Sequence, residues 1–119
     1  MDTIFALASA QGKAGVSVVR ISGPNALEAA NQICDRSLPE KGRGLRVLRD
    51  TDGSHLDEAL VLTFKAPASF TGENIVELQV HGSTAVVSSV LDTLSRTQNL
   101  RLAEPGEFTR RALENNRLD

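Results

Sequence analysis

Tryptophan and tyrosine are absent from this 119-residue chain, and phenylalanine occurs only four times. With aromatics at 3% and apolar residues at 40%, the core has to be assembled from Val, Leu, Ala and Ile, with the phenylalanines as its few large anchors. Cysteine occurs once, as Cys34, which excludes a disulfide framework within one chain. No apolar run approaches the roughly 18 residues of a helical membrane span. The opening MDTIFALASA has no basic leader segment and its apolar run breaks early, so it does not read as a signal peptide. A soluble, cytoplasmic protein without a membrane partner is the expectation. An excess of one charge is also missing: 13 basic residues face 15 acidic ones, for a net charge of −2. Overall charge therefore does not drive the chain onto phosphates, which argues against a stand-alone nucleic-acid binder. Local basic runs do stand at Lys41–Arg49 and Arg110–Arg111.

What is present suffices for one domain, residues 1–119, able to bury about two-thirds of its unfolded surface. Thr3–Ser9 and Val16–Ser22 are β-prone runs on either side of QGKAG, and predict a pair of strands. The stretch SGPNALEAANQIC predicts a helix, with Pro24 suited to its first position and Asn25 with Glu28 offering a capping box. Asp52-Gly53 is a hairpin turn between two further strands, the second with Leu60, Leu62 and Phe64 in alternation. A strand over Ile75–Val80, a helix from about Thr84 to Arg96 capped by Ser83 or Thr84, a short strand in NLRLA and a last helix in EPGEFTRRALENNRLD complete the chain. The order β-β-α-β-β-β-α-β-α predicts an α+β fold, a mixed sheet packed with about three helices. The chain stops in a hydrophilic stretch, as a domain cut from a longer protein would.

Several polar residues stand where chemistry is conceivable. Along SFTGENIVELQVHGS, Val76, Leu78 and Val80 share one strand face and Glu77, Gln79 and His81 the other. Glu77 reads as a solvated residue, as an ion-pair partner of Arg20, or as a carboxylate that accepts two N–H bonds from a ligand. Arg20, inside the apolar run SVVRIS, reads as a snorkelling cation or as a clamp for an anion. His81 precedes Gly82 at a strand–helix junction, with no triad partners and no second ligand at metal spacing, so no metal and no catalytic residue is assigned. Cys34 reads first as a small buried hydrophobe, second as a reactive thiol. The QGKAG loop is not a phosphate-binding loop, because Leu7 and Ala14 occupy the places that need Gly and Ser or Thr. Arg110, Arg111, Asn115, Asn116 and Arg117 read as the solvated face of an amphipathic helix, with Asn115-Asn116 as its end.

DTIFALAS…GKAGVSVVRISG, SFTGENIVELQVHGS and PGEFTRRALENNRLD, in this order from Asp2 to Asp119, resemble the N-terminal domain of the MnmE (TrmE) family of tRNA-modification GTPases. The resemblance implies a fold similar to the folate-binding unit of glycine-cleavage aminomethyltransferases. It implies a domain that binds 5-formyltetrahydrofolate or a related tetrahydrofolate and that forms a homodimer. In the parent, a helical domain and a GTPase domain lie outside this chain and use GTP, Mg2+ and K+. The parent works with an FAD-dependent partner, MnmG (GidA), on C5 of the wobble uridine of tRNA. On this resemblance the folate contacts are Arg20, Glu77 and Arg117, with Gln79, His81 and Gly15 as neighbours, and the fragment alone turns nothing over. Arg117 stands where the family usually has Lys, which keeps the charge and changes the donor geometry. Two alternatives accompany this reading: a free-standing folate-dependent one-carbon transferase, and a purely structural dimerisation module.

Overall fold

A computed structural model describes residues 2–9 and 15–117. Its elements follow the expected order: β1 (Thr3–Leu7), β2 (Val16–Ser22), α1 (Ala26–Ile33), β3 (Gly42–Arg49), β4 (His55–Phe64), β5 (Ile75–His81), α2 (Thr84–Ser95), β6 (Leu100–Leu102) and α3 (Glu107–Glu114). The strands form one six-stranded sheet in the order β3-β4-β5-β2-β1-β6. Neighbours are antiparallel except β1 and β6, which run parallel, so the sheet is mixed. No helix among the described residues is long and apolar enough to cross a membrane.

Helices α1 and α2 cover one face of the sheet. Phe5, Val19, Ile21, Val61, Val76, Leu78 and Val80 from the strands pack there against Ala30, Ile33, Val87, Val90 and Leu94. Burial of such branched side chains, at about 25 cal/mol per Å² of apolar surface, is the main force that assembles the domain. The cap of α2 forms as expected, with the Val86 N–H donating to Ser83 Oγ at 3.2 Å. The Asp50–Ser54 turn is closed by backbone bonds and by Asp52, whose carboxylate accepts from the Ser54 N–H at 2.9 Å.

One local expectation needs correction. Helix α1 begins at Ala26, so Pro24 lies outside it, and Asn25 makes no side-chain cap. The Asn25 backbone N–H, which a capping box would satisfy through Glu28, donates instead to Thr3 Oγ1 at 2.9 Å. In β4, the row facing the helices is Ala59, Val61 and Thr63, while the bulkier Leu60, Leu62 and Phe64 are only half buried on the other face. That second face also exposes Val16 and Leu45, at 52% and 60%. Cys34 is half buried and bridges to Leu48. Burial pushes its thiol up to about 11, which favours the packing reading over the reactive one.

Candidate ligand-binding site

Antiparallel pairing of β2 with β5 puts Arg20 directly opposite Glu77. Opposed residues of such a pair share a face with their Cβ atoms about 5 Å apart, so the two head groups meet. Arg20 Nε donates to Glu77 Oε2 at 2.8 Å, and each side chain keeps about one-fifth of its surface, 20% and 19%. The ion pair considered from sequence therefore forms, but it uses only one edge of each group. Among the described residues, no other hydrogen bond reaches either head group. The Nη groups of Arg20 and one Glu77 oxygen have no partner among the described residues. A donor fork beside an acceptor is the complement of a ring edge that carries C=O next to N–H.

The Arg20 guanidinium also lies over two aromatic rings, with its Cζ 5.0 Å from the Phe70 centroid and 5.2 Å from that of Phe108. Arg20, both phenylalanines, Leu7, Leu102 and Pro105 line a cleft of about 530 Å³. Its size suits a small conjugated ligand.

The walls of this cleft are held by a buried polar lattice that joins two of the motifs singled out in the sequence. In SFTGEN, Ser69 Oγ donates to Glu73 O at 2.5 Å, and Thr71 Oγ1 and Ser22 Oγ lie 2.7 Å apart. Ser22 Oγ donates to Glu73 Oε1 at 2.8 Å. Arg111, from PGEFTRRALE, donates to both Glu73 oxygens at 3.1 and 3.0 Å and to Asp2 Oδ1 at 2.6 Å. It also reaches Glu107 Oε2 at 3.1 Å. Glu107 is 1% exposed and receives Arg101 Nη1 and Nη2 at 2.8 and 2.6 Å. The Arg101 hydrogen bond outweighs burial and holds the Glu107 carboxyl at about 2; the same guanidinium holds Asp2 at about 2. Burial works against the charge of Arg111, yet Glu73, Asp2 and Glu107 together hold it above its ordinary range.

This lattice corrects the reading of the last helix. Arg111 is 4% exposed and does not belong to a solvated face. A buried guanidinium is tolerated because three carboxylates and the Asp2 carbonyl take both of its Nη groups. The helix ends at Asn115-Asn116 as expected, with Asn116 at a φ of 58°. Asn115 Nδ2 donates to Thr71 O at 2.8 Å, which ties the helix end to the loop. Gly72, at a φ of 82°, sits under it: an added Cβ would lie 2.8 Å from Asn115 Cβ.

The other sequence-predicted residues distribute along this face. Arg117 donates from Nε to Ser69 O at 3.1 Å and lines a neighbouring depression with Phe64, Ala68, Ser69 and Phe70. Phe70 is thus a wall shared with the Arg20 cleft. Gln79 stands two residues beyond Glu77 on the same strand face, opposite Val18. His81 lies at the far end of β5, about 13 Å from Glu77 at 3.3 Å per residue. Its exposed ring is held by Asp57, with Nδ1 2.7 Å from Oδ1, while its backbone N–H donates to Asp57 Oδ2 at 2.8 Å. Gly15 is at that end too, its carbonyl accepting from the Gly82 N–H at 3.2 Å. Residues 11–14 of the QGKAG loop lie outside the described residues. The fold therefore groups Arg20, Glu77 and, across Phe70, Arg117; it sets His81 and Gly15 apart. Sequence reasoning missed Phe70, Phe108, Glu73, Arg111 and Asp57. The sequence signal for Phe70 was an aromatic inside a polar loop.

Known proteins similar to this chain were found by sequence. A family model described as "GTP-binding protein TrmE N-terminus" matches residues 3–117. Proteins named tRNA modification GTPase MnmE are 60% identical over 119 residues in Ruegeria sp. (strain TM1040) and 64% identical over 120 residues in Roseobacter denitrificans, each match covering 100% of this chain and 28% of the relative. In Rhizobium meliloti the corresponding protein is 51% identical over 118 residues, covering 99% of this chain and 27% of the relative. The chain thus spans little more than a quarter of the length of these relatives.

Proposed function

The chain belongs to the TrmE N-terminus family, and from that membership we propose that it is the folate-binding and dimerisation domain of a cytoplasmic tRNA-modifying GTPase. The carrying observation is the Arg20–Glu77 pair, which leaves donors and an acceptor free beside an aromatic-walled cleft. Glu77 takes an N–H of the 2-amino-4-oxopyrimidine edge of a tetrahydrofolate, and the Arg20 fork takes its carbonyl or an anionic group. Arg117 reaches the same ligand from across Phe70, and Gln79 lies beside Glu77. His81 and Gly15 are assigned no contact within one copy of the fold. The fold is read as similar to the folate unit of aminomethyltransferases, where two such units stand in tandem.

A single unit completes the corresponding cleft by pairing with its copy. The half-buried row of Leu60, Leu62 and Phe64, together with exposed Val16 and Leu45, supports an isologous contact on the face turned away from α1 and α2. In the longer parent, a helical domain and a GTPase domain supply GTP, Mg2+ and K+ chemistry. An FAD-dependent partner, MnmG, completes modification at C5 of the wobble uridine of tRNA. This domain contributes the one-carbon donor and is not itself a catalyst.

Titration calorimetry with 5-formyltetrahydrofolate tests the site. Glu77→Gln is expected to weaken binding about tenfold or more, because a charged acceptor is lost. Unchanged affinity removes Glu77 from the site. A chain that takes up no folate is left with the structural dimerisation role alone. Light scattering tests the pairing: a monomer at high concentration that still binds folate tightly contradicts the shared cleft.

A further inference from the structure

We propose that Phe70 and Phe108 are positioning residues that clamp the Arg20 guanidinium so that its Nη groups face the ligand cleft. The proposal rests on the reading above only for the identity of the ligand. It starts from an oddity of composition. Two of the four phenylalanines in a chain short of large apolar residues stand against one cation and not in the core. Phe70 is 41% exposed, and so is not held in place by burial alone.

The charge of Arg20 does not require these rings. Glu77 already neutralises it through Nε at 2.8 Å. A single bond at Nε, however, leaves the side chain free to swing, and an arginine that swings loses conformational entropy each time a ligand is bound. Two rings, with the guanidinium carbon 5.0 and 5.2 Å over their centroids, restrain that swing. Contact with ring faces uses the charge of the cation and none of its hydrogen bonds, so the Nη N–H groups stay in hand for bidentate recognition of an oxyanion or carbonyl. The rings come from two elements, the loop before β5 and α3, which the Glu73–Arg111 pair at 3.0 Å locks together. The clamp therefore exists only while α3 is docked. Phe70 also borders the depression of Arg117, so one ring orients the approach between the two cations.

Nuclear magnetic resonance of the free chain reads the clamp directly. The Arg20 Hδ and Hε signals are expected upfield of ordinary arginine values because of ring currents, and to move back in Phe70→Leu and in Phe108→Leu. Calorimetry with 5-formyltetrahydrofolate reads the consequence: each leucine variant is expected to bind about fivefold more weakly, the worth of one cation–π contact. Phe70→Trp, with the stronger π-face, is expected to restore affinity where leucine does not. If a leucine variant fails to fold, trifluoro-phenylalanine at position 70 keeps the shape and depletes the ring face; it is expected to weaken binding with an unchanged melting temperature. Ordinary Arg20 shifts in the wild type, or full affinity with a fluorinated or leucine residue at position 70, overturn the clamp. A wild-type chain that shows the ring-current shifts and binds no folate overturns the folate reading and leaves the clamp in place.

Discussion

Replacing Arg111 by methionine removes a buried cation while keeping an apolar stem of similar length. In the native chain its guanidinium donates to both Glu73 oxygens, to the Asp2 carboxylate and carbonyl, and to Glu107. Glu107 keeps Arg101 and Arg110 after the change. Among the described residues, Glu73, 9% exposed, keeps only the Ser22 hydroxyl and the Thr71 turn around it. Breaking a buried pair by deleting one partner costs about 3–5 kcal/mol, chiefly through the charge left behind. Adding Glu73→Gln to Arg111→Met is expected to recover about 2 kcal/mol at pH 7, giving a clear coupling in a double-mutant cycle. Urea unfolding followed by circular dichroism measures both single variants and the double variant, since the chain has no Trp or Tyr to report by fluorescence. A loss below about 1 kcal/mol, or no recovery on adding Glu73→Gln, refutes the idea that Arg111 exists to satisfy Glu73.

Three further outcomes follow from the same geometry. The Glu107 carboxyl, held at about 2 mainly by Arg101, contributes stability that is complete above its unfolded value near 4.5 and is lost as pH falls toward 2; about 3 kcal/mol of acid-dependent stability is expected to vanish in Glu107→Gln, as read by unfolding between pH 5 and pH 2. The Cys34 thiol, raised to about 11 by burial, is expected to react with iodoacetamide at pH 8 far more slowly than an ordinary thiol and to accelerate as pH rises toward 11; rapid labelling of folded protein at pH 8 contradicts its packed environment. Gly72→Ala is expected to cost more than about 1 kcal/mol, since a Cβ there meets Asn115 Cβ at 2.8 Å and the φ of 82° strains any L-residue; thermal melting measures it, and a neutral result shows that the loop shifts freely.

Local chemistry in the sequence determined the elements, their order and several of their ends. The Asp52-Gly53 turn, the Ser83 cap and the Asn115-Asn116 exit were legible because each depends on side chains within a few residues of the backbone they satisfy. The alternation of β5 was legible too, and it set Glu77 apart from Val76 and Leu78. In β4 alternation was ambiguous: both rows are apolar, and period two alone does not say which row meets the helices. Only the tertiary structure decided that Ala59 and Val61 go inward. It also decided the register that sets Arg20 against Glu77, because a slip of one residue would send one of them to the opposite face. Above all it decided the fate of Glu107 and Arg111. The sequence put Arg111 on a solvated face by its charge and singled out nothing at Glu107, four residues earlier. Partners up to 109 residues away made burial tolerable instead, and no local pattern carries the presence of Glu73, Arg101 and Asp2 at that helix.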